Sequence, residues 1–198
     1  MEGIIKAIEI FAFVSGLVYI ILEIGQKNLM WVLGIFTGVA CAFSFAVQHL
    51  YSSMALNIYY VIVSVIGLYK WRKASEAISE SARDEGKTIH LAKISTKSIL
   101  ISLGVFILGT IAIVPILNGL GDNRPILDAV VTMMSIVATW WLAKSYPEQW
   151  LLWIVADLLS TILCAISGMY WMSLLYAAYA LSSFYGLYVW KKKGVYVD

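Results

Sequence analysis

Residues 31–71 read WVLGIFTGVACAFSFAVQHLYSSMALNIYYVIVSVIGLYKW, and residues 150–190 read WLLWIVADLLSTILCAISGMYWMSLLYAAYALSSFYGLYVW. A shift of 119 residues lays the first stretch on the second without a gap. Trp31 then falls on Trp150, Tyr51 on Tyr170, Tyr60 on Tyr179, Ser64 on Ser183, Gly67 on Gly186, Tyr69 on Tyr188 and Trp71 on Trp190. Chance does not supply coincidences of this kind over a single ungapped register. The same offset places Glu9 on Asp128, so the repeat unit extends one helix upstream and holds three helices.

Composition says what surrounds those helices. The chain is 61% hydrophobic and 13% charged, with a mean hydropathy of +0.84, far above a soluble domain. Apolar runs of membrane-crossing length lie near 4–23, 30–49, 54–70, 98–117, 126–144, 150–167 and 171–190. The short alternating segments of a membrane barrel are absent from the pattern. The expected fold is an all-α membrane protein of seven transmembrane helices in a 3+1+3 arrangement. The odd linker helix restores chain direction, so the two triplets run parallel, related by an axis along the membrane normal, with a substrate site between them near the midplane.

The expected boundaries are a first three-helix repeat over 1–73, a charged connection over 74–97, a linker helix over 98–121, a second repeat over 122–193 and a tail over 194–198. The connection, with SEAISESARDEGK at its centre, reads as a solvated segment or short surface helix without chemistry. Twelve of the fourteen basic residues fall on the side that follows helices one, three, five and seven; only Lys6 and Arg124 fall on the other. The positive-inside rule puts the N-terminus outside and the C-terminus in the cytoplasm. The N-terminal run lacks the basic start and cleavage site of a signal peptide and is expected to remain in the mature protein. Cys41 and Cys164 lie within spans, where a structural disulfide is not expected.

Candidate site residues emerge where the repeat breaks. Trp153 faces Gly34 and Asp157 faces Gly38 under the offset, so one half offers an aromatic ring and a carboxylate against a glycine-lined wall in the other. Trp150, Trp153 and Asp157 share one helical stripe, and Asp157 lies about 10 Å inside its span. A carboxylate at that depth marks a pathway or site, its alternative being a hydrogen-bonded group that glues helices together. Trp150, at the start of its span, also suits the interfacial belt. Asn57, Tyr60 and Ser64 form a second stripe, repeated by Tyr176, Tyr179 and Ser183. Asn57 is its ligand candidate, while the serines and most tyrosines suit interhelical hydrogen bonds. Glu9 and Asp128, with Thr132 a turn further on, read as structural or gating groups near helix starts.

Other classes find little support. The last span has no lysine for a retinal Schiff base, and no phosphate loop, nucleophile pair or metal cluster is legible. His49 and His90 fall near span ends without partners at useful spacing. No enzyme, no cofactor and no nucleic-acid partner is expected.

The quoted stretch 31–71, together with LDAVVTMMS (127–135), WLLWIVADLLS and ALSSFYGLYVWKK, resembles the Pnu family of bacterial vitamin transporters over nearly the whole chain. The resemblance implies a full-length relative of the SWEET architecture in the bacterial inner membrane, working by facilitated diffusion. Uptake would be made one-way by a cytoplasmic kinase. It also implies that the family's W-x-x-W-x-x-x-N falls on Trp150, Trp153 and Asp157, and its Q-x-x-Y on Asn57 and Tyr60. Both amide positions that recognise a carboxamide have therefore changed. Among the family's ligands, cationic thiamine suits Asp157, and thiamine uptake is the favoured reading, with nicotinamide riboside the alternative. A proton-coupled symporter using Glu9, Asp128 and Asp157 is the mechanistic rival, and a homo-oligomer is compatible with the sequence.

Overall fold

The computed structural model describes residues 18–47, 51–121, 123–166, 168 and 170–197. Glu9 and His49 lie outside the described residues, and so does the side chain of Cys41. Residues 18–24 are helical and form the described part of α1. There follow α2 (Leu29–Val47), α3 (Tyr51–Glu76), the short α4 (Glu80–Asp84), β1 (Ile89–Leu91), α5 (Thr96–Gly119), α6 (Pro125–Ala143), α7 (Gln149–Ile166), α8 (Tyr170–Lys193) and β2 (Gly194–Tyr196).

The chain is a helical membrane protein. Among the described residues α5, α6 and α7 are each long and apolar enough to cross a bilayer. Local chemistry sets their ends. Ser95 caps α5 by accepting from Ser98 N at 3.1 Å, and α6 opens on Pro125 with Asp128 in its first turn. Lys191, Lys192 and Lys193 close α8, where positive charge complements the helix dipole. α2 packs on α3, α7 on α8, and α6 bridges α3, α5 and α7.

The repeat detected in the sequence is a packing device. Trp31 of α2 lies against Gly67 of α3, where a Cβ would stand 2.5 Å from the indole; Trp150 of α7 lies against Gly186 of α8, where it would stand 2.6 Å away. Only glycine admits either ring. Trp31 meets Trp71 edge-to-face at 5.0 Å, and Trp150 meets Trp190 at 5.6 Å. The halves then cross. Trp71 donates its indole N–H to Leu142 O at 3.1 Å, Trp190 donates to Ile24 O at 3.2 Å, and the two rings touch at 6.2 Å. All four tryptophans are fully buried, at the end of the bundle that carries the lysines.

That end also differs from expectation. α3 runs on to Glu76, because Trp71 is buried and holds the extra turns against α6. α4 is the expected surface helix, with no buried residue. Beyond it, β1 is wholly buried and pairs in parallel with β2, in the register Ile89 with Gly194, His90 with Val195 and Leu91 with Tyr196. The expected tail is therefore partly a strand. Gln26 brackets His90, donating Nε2 to His90 O and accepting from His90 N, both at 2.9 Å. Ser145 Oγ lies 3.0 Å from His90 Nδ1. Gln26 and Ser145 are 119 residues apart, so they are equivalent in the repeat, and both adopt left-handed backbone, φ 48° and 59°. Such φ values are uncommon for residues other than glycine. Two equivalent helix-ending turns thus close on one histidine.

Candidate functional site

A polar cluster begins beside the tryptophan core and runs deeper into the bundle. On α7, Gln149 and Trp150 are fully buried, Trp153 is half-buried, and Asp157 is 5% exposed. On α8, Ser183 is buried and donates a hydrogen bond to the Asp157 carboxyl. Thr161, a turn beyond, donates to Asp157 O at 2.7 Å and so keeps its own hydroxyl on the helix backbone. α1 brings Tyr19 and Glu23; the Glu23 carboxyl is 5% exposed and within electrostatic reach of Asp157. Tyr19 neighbours Glu23, Tyr60 and Tyr179, while Tyr179 neighbours Tyr176, Asp157 and Glu23. Tyr60 neighbours Tyr176, whose phenol also feels Asp157 and Asp128. Helices α1, α3, α7 and α8 therefore converge on two carboxyls with phenols around them.

Of the residues singled out from the sequence, Asp157, Tyr60, Tyr179 and Asp128 belong to this network, while Trp153, half-buried on the same helix as Asp157, packs against the tryptophan core. Asn57 and Thr132 are half-buried on α3 and α6, and Asn57 O lies against α2 at Gly38. Trp150 sits elsewhere: its ring faces are taken up by Gly186 and Trp190 in the tryptophan cluster. The glycines do not form a wall opposite Asp157. A Cβ on Gly34 would meet Ser64 Oγ at 2.8 Å, and one on Gly38 would meet Val61 Cγ2 at 2.7 Å. They let α2 close onto α3 within the first half, and Ser64, equivalent to the Ser183 that serves Asp157, is used in that contact.

Sequence reasoning misses Glu23, Tyr19 and Gln149. Glu23 stands at the last turn of its span and Gln149 at the first turn of another, where polar residues are commonplace. The i, i+4 spacing of Tyr19 and Glu23 is the available signal. The Glu23 carboxyl and Gln149 amide approach one another, yet Glu23 Oε1, both Gln149 amide atoms and Trp153 Nε1 make no hydrogen bond of good geometry. Such groups normally find partners, and each costs roughly 1–3 kcal/mol when left without one. No lysine or arginine is buried among the described residues, and they contain no group of side chains that could hold a metal ion. The described cluster is acidic and aromatic, with no buried cation of its own to balance the carboxyls.

A helical membrane bundle with an acidic, aromatic cluster enclosed between helices has the build of a small-molecule carrier, not of an enzyme. Residues 6–192 match the family described as nicotinamide mononucleotide transporter, and the chain belongs to that family. It is similar to the nicotinamide riboside transporter PnuC of Neisseria mucosa, 33% identical over 153 residues, covering 72% of this chain and 56% of that one. It is also similar to the nicotinamide riboside transporter PnuC of Escherichia coli, 24% identical over 201 residues, covering 92% and 84%. The chain thus spans little more than half the length of the Neisseria relative. A crystal structure of the vitamin B3 transporter PnuC superposes with a TM-score of 0.65 at 26% identity, over 96% of this chain and 87% of that one. The Neisseria and Escherichia relatives carry the name of the riboside, and the solved structure that of vitamin B3; none carries that of thiamine, the vitamin favoured on the sequence.

Proposed function

We propose that the chain carries nicotinamide riboside across the bacterial inner membrane. The observation that carries this reading is the pair of buried carboxyls, Asp157 and Glu23, with Tyr19, Tyr60, Tyr176 and Tyr179 around them and no buried basic residue among those described. The riboside is a pyridinium with a fixed positive charge, and buried carboxyls with aromatic faces attract such a ring. The same property does not single out thiamine. A carboxylate at Asp157 suits either cation, so the exchange of an amide for an acid does not separate the two ligands. It argues only against neutral riboflavin. The names of the relatives then favour the riboside.

In this reading seven helices cross the membrane as 3+1+3, with α5 as the linker between parallel triplets. The matching seats of Trp31 on Gly67 and Trp150 on Gly186 support the arrangement. The lysine-bearing end faces the cytoplasm and the N-terminus faces outward. Transport is passive, and trapping falls to a cytoplasmic kinase that phosphorylates the product. Calorimetric titration of the purified protein with riboside, thiamine and riboflavin tests the substrate. The riboside is expected to bind most tightly and riboflavin not at all; tight thiamine binding with no response to riboside would return the substrate to thiamine. Uptake into proteoliposomes without any imposed gradient tests the mechanism, and accumulation that requires a proton gradient would replace the uniporter by a symporter.

A further inference from the structure

Glu23 and Gln149 are expensive for the fold and unnecessary to it. Glu23 is 5% exposed and Gln149 is 0% exposed, and three of their side-chain atoms have no hydrogen-bond partner. The repeat supplies an internal control. The offset of 119 places Glu23 on Leu142 and Gln149 on Met30, and those two apolar residues are 1% and 0% exposed in the same core. The scaffold therefore accepts leucine and methionine at equivalent positions: Glu23 of the first half and Gln149 of the second meet at one seam, and the equivalent residues Leu142 and Met30 are apolar. Residues that cost stability and are not demanded by packing belong with function.

Their position says which function. Glu23 is adjacent to Ile24, whose carbonyl receives the Trp190 indole, so it lies between the tryptophan cluster and the deeper Asp157. Asp157 is two turns further along α7 than Trp150, about 10 Å. Two carboxyls at successive depths repel one another, and a cation passing between them relieves the repulsion. Gln149 approaches Glu23 and adds a donor and an acceptor to which a hydroxyl or carboxamide could bond.

We propose that Glu23, with Gln149, is a second recognition station on the cytoplasmic side of Asp157 that selects for the ligand's positive charge. The proposal rests on the riboside reading. Its test compares nicotinamide riboside with the reduced riboside, in which a hydride added to the ring leaves carboxamide and ribose intact but removes the charge. Binding to wild type, Glu23→Gln, Glu23→Leu and Gln149→Met is measured by calorimetry, and thermal unfolding without ligand by intrinsic fluorescence.

Wild type is expected to prefer the charged form. Glu23→Gln and Glu23→Leu lose that preference by about tenfold or more, the scale of a charge-assisted hydrogen bond, while affinity for the reduced form is nearly kept. Gln149→Met weakens both forms alike. All three unfold at the wild-type temperature or above it, and because leucine and methionine already occupy the equivalent sites, at least these two variants fold. An unchanged preference in both Glu23 variants, or a fall in unfolding temperature showing that the carboxyl holds the helices together, overturns the assignment of Glu23 and leaves the riboside reading standing. Wild type that binds neither form overturns both.

Discussion

Stability should depend on pH through His90, and the size and sign of the effect follow from its surroundings. The imidazole is buried between β2 and the turns carrying Gln26 and Ser145, and Trp71 meets it edge-on at 5.8 Å. Burial pushes its pKa down from 6.5 to about 4, with hydrogen bonds to the backbone opposing the change. In the unfolded chain the ring titrates near 6.5, so between about pH 6.5 and 4 the unfolded state binds more protons. Stability is then complete above this window and is lost as pH falls through it. With a tenfold change in proton affinity worth about 1.36 kcal/mol, the loss is about 2 kcal/mol at pH 5 and rises toward about 3 kcal/mol at pH 4. For a chain of this size that is about 4–8 °C in apparent unfolding temperature at pH 5. The assay is thermal unfolding in detergent from pH 8 to 4.5, for wild type and for His90→Asn, which keeps an acceptor facing Ser145 but does not titrate. The variant should start lower and show a flatter profile, so that the two curves converge toward pH 5. Parallel curves would refute the account, because the lost stability would then belong to other groups.

Two further perturbations separate the scaffold from the site. Gly67→Ala and Gly186→Ala should each cost about 1–3 kcal/mol by overpacking, nearly equally, since each Cβ meets its tryptophan at 2.5–2.6 Å. Gly104→Ala, with open space around it, is the control and should unfold at or above the wild-type temperature. Trp153→Ala should weaken riboside binding by about 1–3 kcal/mol through lost stacking, with little change in unfolding temperature because the ring is only half-buried. Unaltered affinity would return Trp153 to helix packing.

The helices were legible because a bilayer demands long apolar runs and nothing else in the chain imitates them. The repeat was legible because bulky Trp31 and Trp150 require Gly67 and Gly186 opposite them, and that pairing survives in the letters. The strands were not: three residues, Ile89–Leu91, are too few to show alternation, and their partner lies more than a hundred positions away. Asp157 announced itself by its depth. Glu23 and Gln149 did not, since polar residues at span ends are ordinary until the folded chain shows them buried. Gly34 and Gly38 were visible as differences between halves, but a difference does not say which face a residue presents. Both turned out to face α3.

What the two halves share and where they part divides the molecule along its length. At the lysine-bearing end the repeat is obeyed closely. Trp31 and Trp150 have the same seats, Trp71 and Trp190 make crossed bonds to Leu142 and Ile24, and the equivalent Gln26 and Ser145 close on one histidine from both sides. Packing rewards such matching, because a duplicated interface solves the same problem twice. The equivalences begin to break within the tryptophan core, at Leu142 against Glu23 and Met30 against Gln149, and break again deeper in the bundle at Gly34 against Trp153, Gly38 against Asp157 and Asn57 against Tyr176. Every break puts a polar or aromatic group on one side and an apolar, small or differently shaped one on the other. In the proposed reading the ligand is a riboside with no two-fold axis, and a site that would grip one end of it by charge and the other by hydrogen bonds cannot have one either. The symmetry of the duplicated scaffold is thus kept in the tryptophan seats and given up along the line of Glu23, Gln149 and Asp157, where the proposed ligand would be held.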